Sequence, residues 1–167
     1  MQVTLITGGA RSGKSQFAEK TVLALPGRPV YVATAEAGDE EMKARIAVHR
    51  ARRDSRWLDR PATLDLAAAL AETDGQGPRL VDCLTLWLSN LMFAGRDWQQ
   101  EAEALVAALS SMQSPVVLVT NEVGLGIVPD NRLAREFRDA QGRLNQIVAA
   151  AADDVHFVVC GLPMKVK

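Results

Sequence analysis

With 167 residues, 48% of them hydrophobic and 23% charged, the chain has the length and composition of one globular domain over residues 1–167, able to bury a continuous core without a disulfide framework. Its formal net charge of −1 excludes a global electrostatic attraction to nucleic acid or to a membrane surface. No apolar run approaches a membrane span, the start of the chain lacks the charged flank of a signal peptide, and Cys83 and Cys160 lie in or beside apolar runs that suit reduced thiols buried in a core, so the expected location is the cytoplasm.

In chain order, residues 2–7 form an aliphatic, β-branched run that reads as a strand. It leads directly into Gly8-Gly9-Ala10-Arg11-Ser12-Gly13-Lys14-Ser15, which matches G-x-x-x-x-G-K-[ST], and a helical segment follows. Strand before and helix after are the context in which this pattern cradles phosphate. Glycines permit backbone angles that turn successive amides and the helix N-terminus toward one point, Lys14 reaches the outer phosphates, and the Ser15 hydroxyl is suited to Mg²⁺.

Residues 29–34 read as a second strand, and residues 39–53 as a charged segment with acidic residues first and basic residues last, as a helix dipole favours. Within it Met42, Ile46 and His49 share one face, which suits a half-buried structural histidine. Five arginines between positions 45 and 56 give a second reading: they would depress the histidine pKa, keep the imidazole nucleophilic and hold phosphate oxygens. Residues 53–61 lack periodicity and read as a loop.

A third strand is expected over 79–83. Asp82, near its end, stands where a carboxylate completes Mg²⁺ binding in phosphate-loop enzymes, with N-capping of the helix over 84–93 as the alternative. Asp153 and Asp154 precede their strand and are less well placed. Residues 74–78 read as a turn, residues 98–112 as an amphipathic helix, 115–120 as a strand, 121–130 as a glycine-rich loop, 133–151 as a second amphipathic helix and 155–160 as a last strand. Strand and helix alternating in this way predict an α/β fold of the P-loop NTPase type: a mostly parallel sheet with helices on both faces and ligands at the carboxyl ends of the strands.

The chain resembles the adenosylcobinamide kinase and adenosylcobinamide-phosphate guanylyltransferase enzymes. The residues that carry the resemblance are the phosphate-loop octapeptide, the segment 39–53 with Arg45, Ile46 and His49, the string Val119-Thr120-Asn121-Glu122-Val123-Gly124-Leu125-Gly126-Ile127-Val128-Pro129, and matches through residues 133–139, Gly142, Asn145-Gln146 and Ala152-Asp153 to Gly161-Leu162-Pro163. It implies an enzyme that phosphorylates the aminopropanol hydroxyl of adenosylcobinamide with ATP or GTP. The same enzyme then transfers GMP from GTP to the new phosphate through a histidine, matched by His49. It implies a homotrimer, and further nucleotide contacts at Ala33, Thr34 and Ala35 and at Arg50, Ala51, Arg52 and Arg53. Asn121 and Glu122, at the end of the fourth strand, are candidate substrate or catalytic groups, with a structural turn as the competing reading.

The chain departs from the family in one place. Members commonly carry a glutamate a few residues after the tryptophan matched by Trp57, in the guanine-contact region, whereas this chain reads Trp57-Leu58-Asp59-Arg60-Pro61. Asp59 is the candidate substitute. Competing readings are a monofunctional P-loop small-molecule kinase with a structural His49, a GTP-binding switch, and an oligomeric ATPase or assembly factor. The switch needs a D-x-x-G loop and an N-K-x-D motif; Asp139-Ala140-Gln141-Gly142 falls in an expected helix, and N-K-x-D is absent from the sequence.

Overall fold

The computed structural model describes residues 2–36, 38 and 40–167; within the second helix Glu41, Met42, Arg45, Ile46, His49 and Arg52 are described by backbone alone. The elements run β1 (Val3–Gly8), α1 (Lys14–Leu23), β2 (Val30–Ala33), α2 (Glu40–Arg52), β3 (Leu58–Pro61), α3 (Leu66–Glu72), β4 (Arg79–Asp82), α4 (Leu84–Phe93), α5 (Trp98–Ser111), β5 (Val116–Val119), α6 (Arg132–Ala151), β6 (Asp154–Val159) and β7 (Leu162–Lys165).

The seven strands form one sheet in the order β3-β2-β4-β5-β1-β6-β7, parallel throughout except for the β6–β7 hairpin. The period-2 alternation of strand side chains sends successive residues to opposite faces. Leu5, Val30, Val32, Val81, Val116 and Leu118 enter the larger core with α3, α4, α5 and α6. Ile6, Tyr31, Leu80, Val117, Val119 and Val158 enter the smaller core with Phe17, Ala18 and Val22 of α1. With helices on both sides the central strands need apolar residues at every position, which is why they read as continuous aliphatic runs rather than as an alternation.

Two of the helices, α5 and α6, begin at side-chain caps. Asp97 accepts from the amides of Gln99 and Gln100, and Asn131 accepts from Ala134 at 2.7 Å. At the amino end of β4 the fully buried Arg79 donates to the Leu70 carbonyl at 2.7 Å and pairs with Asp74 at 3.1 Å, satisfying its charge beneath the sheet.

Two expectations need correction. Residues 53–61 are not all loop: Leu58–Pro61 pair with β2 as the edge strand β3. The run Leu-Asp-Arg-Pro carries no β-branched residue and escapes a propensity reading, while its proline is tolerated because the strand is at the edge. Residues 162–165 form β7, and Cys160 is exposed at the hairpin turn rather than buried, whereas Cys83 is buried. Among the described residues no helix is long and apolar enough to cross a membrane.

Candidate active site at the carboxyl ends of the strands

The phosphate loop leaves β1 at Gly8 and enters α1 through Gly13, whose φ of +94° is a left-handed conformation that suits glycine. A side chain at Gly8 would meet the Val158 carbonyl at 2.6 Å and the Ser12 hydroxyl at 2.7 Å, so the loop packs against β6 with no room for a Cβ. Two further backbone bonds shape it: Glu122 donates to the Gly8 carbonyl at 3.1 Å, and Gly161 donates to the Ser12 carbonyl at 2.9 Å. The loop after β5 and the β6–β7 turn therefore hold the phosphate loop from two sides.

Lys14, first residue of α1, donates through Nζ to the Gly9 carbonyl at 3.0 Å, folding its cation over the loop. Burial pushes the Lys14 pKa down, opposed by the electrostatic influence of Cys83 and Asp82. Among the described residues the buried Ser12 hydroxyl has no hydrogen-bond partner, an orphaned polar group inside the cradle of the kind a bound phosphate oxygen satisfies. Ser15 lies on the first turn of α1.

Asp82 ends β4, two strands from β1, opposite Ala33 on one side and Val119 on the other. It is not a helix cap: the residue before α4 is Cys83, and no side chain caps that helix. The Asp82 carboxylate accepts from the Tyr31 hydroxyl at 3.1 Å. Burial first, and the Asp82 charge second, raise the Tyr31 phenol, so it remains a protonated donor. Burial and the same carboxylate push the Cys83 thiol up to about 11, which makes it an inert core group. Thr34 is fully buried; its hydroxyl donates to the Cys83 carbonyl and accepts from the Cys83 amide, both at 2.8 Å. Asn90 donates to the Thr34 carbonyl at 2.8 Å, so the segment Ala33, Thr34 and Ala35 is tied to the end of β4.

Ligand chemistry of the carboxylate and hydroxyl fits Mg²⁺, which takes one or two protein oxygens and fills its remaining positions with water and phosphate. Among the described residues no group of three or more His, Cys, Asp or Glu side chains gathers to form an all-protein metal cage.

The arginine segment lies beside β3. Arg50, Arg53, Asp54, Ser55, Trp57 and Asp59 line a cleft of about 210 Å³. Asp59 is shared there by Arg50 at 3.3 Å and Arg53 at 3.1 Å. The Arg53 guanidinium also lies 3.5 Å above the Tyr31 ring, against whose edge Trp57 packs at 6.1 Å. Asp59 and Pro61 are two residues apart on β3 and so share a face, one pleat apart, with Pro61 opposite Ala33 and Asp59 opposite Tyr31. The side chains of His49 and Arg52 lie outside the described residues; their backbone belongs to α2, and Ala51 is exposed on the same helix.

Asp82 and Arg53 stand apart in the sequence, and what joins them is Tyr31. Tyr31 was visible only as one residue of a strand, because nothing local marks a phenol that reaches across to the next strand. A second omission is the cluster behind Asn121: Thr120 donates to Asn145 at 2.7 Å, Gln141 donates to both, and Asn145 donates to the Asn121 carbonyl at 3.0 Å. Asp139 and Gly142 lie inside α6, with Gln141 between them fully buried, so the D-x-x-G string is helix and not a switch loop.

Solved structures share the fold at low identity. A type III secretion system ATPase aligns with a TM-score of 0.62 at 12% identity, over 98% of this chain and 56% of that one. A KaiC-like protein from Pyrococcus horikoshii aligns at 0.52 and 14%, over 93% and 71%. Sequence relatives reach much further. The bifunctional adenosylcobalamin biosynthesis protein CobP of Pseudomonas aeruginosa is 47% identical over 98% of this chain and 96% of its own length. The bifunctional adenosylcobalamin biosynthesis protein CobU of Salmonella typhimurium is 43% identical over 98% of each. The cobinamide kinase / cobinamide phosphate guanyltransferase family matches residues 4–166, and the chain, with its phosphate loop on the first strand of a mostly parallel sheet, belongs to that family.

Proposed function

We propose that this enzyme phosphorylates adenosylcobinamide with ATP or GTP and then transfers GMP from GTP to the product, giving adenosylcobinamide-GDP in cobalamin biosynthesis. The observation that carries the reading is the phosphate cradle of residues 8–15, built as above, in a chain that keeps 47% identity with a bifunctional relative over nearly its whole length.

In the first step the aminopropanol oxygen attacks the γ-phosphorus, the bridging oxygen leaves with the nucleoside diphosphate, and the hydroxyl proton is lost. Gly8, Gly9, Ala10, Arg11, Ser12 and Gly13 hold the triphosphate through backbone amides, and Lys14 trades its bond to the Gly9 carbonyl for a phosphate oxygen, taking up developing charge. In the second step an imidazole nitrogen of His49 attacks the α-phosphorus of GTP and pyrophosphate leaves. The substrate phosphate then displaces the imidazole and carries GMP away. Arg50 and Arg53, parked on Asp59 in the free enzyme, are the cations for these phosphates, with Ala33, Thr34, Ala35, Ala51 and Arg52 as neighbouring nucleotide contacts. Mg²⁺, when bound by Ser15 and Asp82, supplies charge neutralisation at the phosphates. Asn121 and Glu122 lie where the loop after β5 meets the cradle and are suited to the corrinoid side of the site.

We also propose a homotrimer working in the cytoplasm. Leu125, Ile127 and Val128 on the loop beside the cradle, and Leu133 on the first turn of α6, are more than half exposed, an apolar surface that a neighbouring copy would cover. Light scattering on the purified protein tests the trimer directly.

Incubation with Mg²⁺ and GTP labelled at the α-phosphate tests the chemistry. The expected result is an acid-labile, alkali-stable GMP adduct mapping to His49, absent from His49→Ala, while that variant still phosphorylates the corrinoid. Absence of an adduct beside intact γ-phosphate transfer would reduce the enzyme to its kinase half.

A further inference from the structure

One side chain spans the two halves of the site. Tyr31 is 5% exposed, sits at the centre of β2 and uses two chemically different surfaces. Its hydroxyl donates to Asp82 Oδ2 at 3.1 Å. Its ring face carries the Arg53 guanidinium at 3.5 Å, close enough for a cation–π contact, and Trp57 closes the ring edge at an interplanar angle of 80°. Arg53 immediately follows α2, the helix whose backbone carries His49, and its side chain is only 8% exposed. Asp82 ends β4 in the electrostatic reach of Lys14. A rigid aromatic side chain with two torsions therefore fixes the position of the carboxylate at the cradle relative to the segment that follows the nucleophile helix.

We propose that Tyr31 is a positioning residue for both transfers: its hydroxyl orients the Asp82 carboxylate for metal-assisted triphosphate binding, and its ring seats Arg53 so that the end of α2 is held in register with the cradle. The proposal rests on Asp82 as the metal-binding carboxylate and on His49 as the nucleophile. Chemical separability follows from the geometry. Phenylalanine keeps the ring under Arg53 and removes only the bond to Asp82; leucine removes both.

The test uses the full chain with Tyr31→Phe, Tyr31→Leu and Asp82→Asn. Calorimetry measures binding of α,β-methylene-GTP, which cannot release GMP, with Mg²⁺ and with chelator; adduct formation from α-labelled GTP is timed separately. Tyr31→Phe should bind as wild type in chelator but lose about tenfold or more of the affinity gained with Mg²⁺, the low end of what one hydrogen bond to a charged group contributes. Its adduct should form at near wild-type rate at saturating Mg²⁺. Tyr31→Leu should show the same Mg²⁺ defect and form adduct roughly thirtyfold more slowly, as loss of a desolvated cation–π seat implies.

An unchanged Mg²⁺ gain in Tyr31→Phe overturns the proposal, and so does an equal loss of affinity with and without Mg²⁺, which would mark Tyr31 as plain core. If Asp82→Asn also leaves the Mg²⁺ gain intact, the reading of Asp82 falls with it. If Asp82→Asn loses the gain and Tyr31→Phe does not, Tyr31 alone is refuted.

Discussion

The amide of Gly161 donates to the carbonyl of Ser12 over 2.9 Å, so the turn that reverses the chain from β6 into the antiparallel β7 is pressed against the phosphate loop. The contact leaves little space for growth: a Cβ on Gly13 would stand 3.1 Å from the Gly161 Cα, so the turn would have to shift by a few tenths of an ångström. Because Gly13 also has φ +94°, Gly13→Ala should cost about 1–3 kcal/mol of backbone strain. The expected result is nucleotide affinity weakened by roughly tenfold or more, measured by calorimetry. Wild-type affinity would mean that the loop can leave the hairpin without loss.

Lys14→Ala should lower both phosphoryl and guanylyl transfer by about 10²–10³-fold, the scale of removing one preorganised group from a charge-developing centre. Separate assays of γ-phosphate transfer to the corrinoid and of GMP adduct formation check this. Retention of one activity would place its triphosphate somewhere other than residues 8–15.

Asp74 and Arg79 form the anchor at the opposite end of the sheet. Burial disfavours the Asp74 charge, but the amides of Ser114 and Gln113 and the Arg79 guanidinium outweigh it and hold the carboxyl below its ordinary value. A depressed folded pKa contributes stability that is complete above the unfolded value of about 3.9 and is lost as pH falls through the folded one. Asp74→Asn should therefore melt lower than wild type at neutral pH, with the gap closing in acid below about pH 3.9. A gap independent of pH would show that hydrogen bonding alone, not charge, sets the contribution.

Asn145→Ala removes the acceptor for Thr120 and Gln141 and the donor to the Asn121 carbonyl. Leaving buried polar groups unpaired should cost about 1–3 kcal/mol in urea denaturation. Since this cluster fixes where the loop of residues 121–130 leaves β5, a rise in KM for the corrinoid larger than that for nucleotide is also expected. Equal effects on the two KM values would limit Asn145 to stability.

Much of this enzyme is written locally in its sequence. The phosphate loop is legible because glycine spacing, Lys14 and Ser15 are contiguous and the chemistry needs them adjacent. The strands β1, β2, β4, β5 and β6 are legible because their β-branched and aliphatic residues cluster in short runs bounded by turn residues. The edge strand β3 is not, since Leu58, Asp59, Arg60 and Pro61 are held by pairing with β2 rather than by their own propensity. Cys160 shows the same limit: the apolar run before it continues the sheet, but only the hairpin geometry puts its thiol in solvent. Sequence alone offered two roles for Asp82 and no partner for Arg53. Which strand lies beside β2 decides both, because the Tyr31 phenol meets a carboxylate 51 residues away only once β2 and β4 pair in the register Ala33 to Asp82.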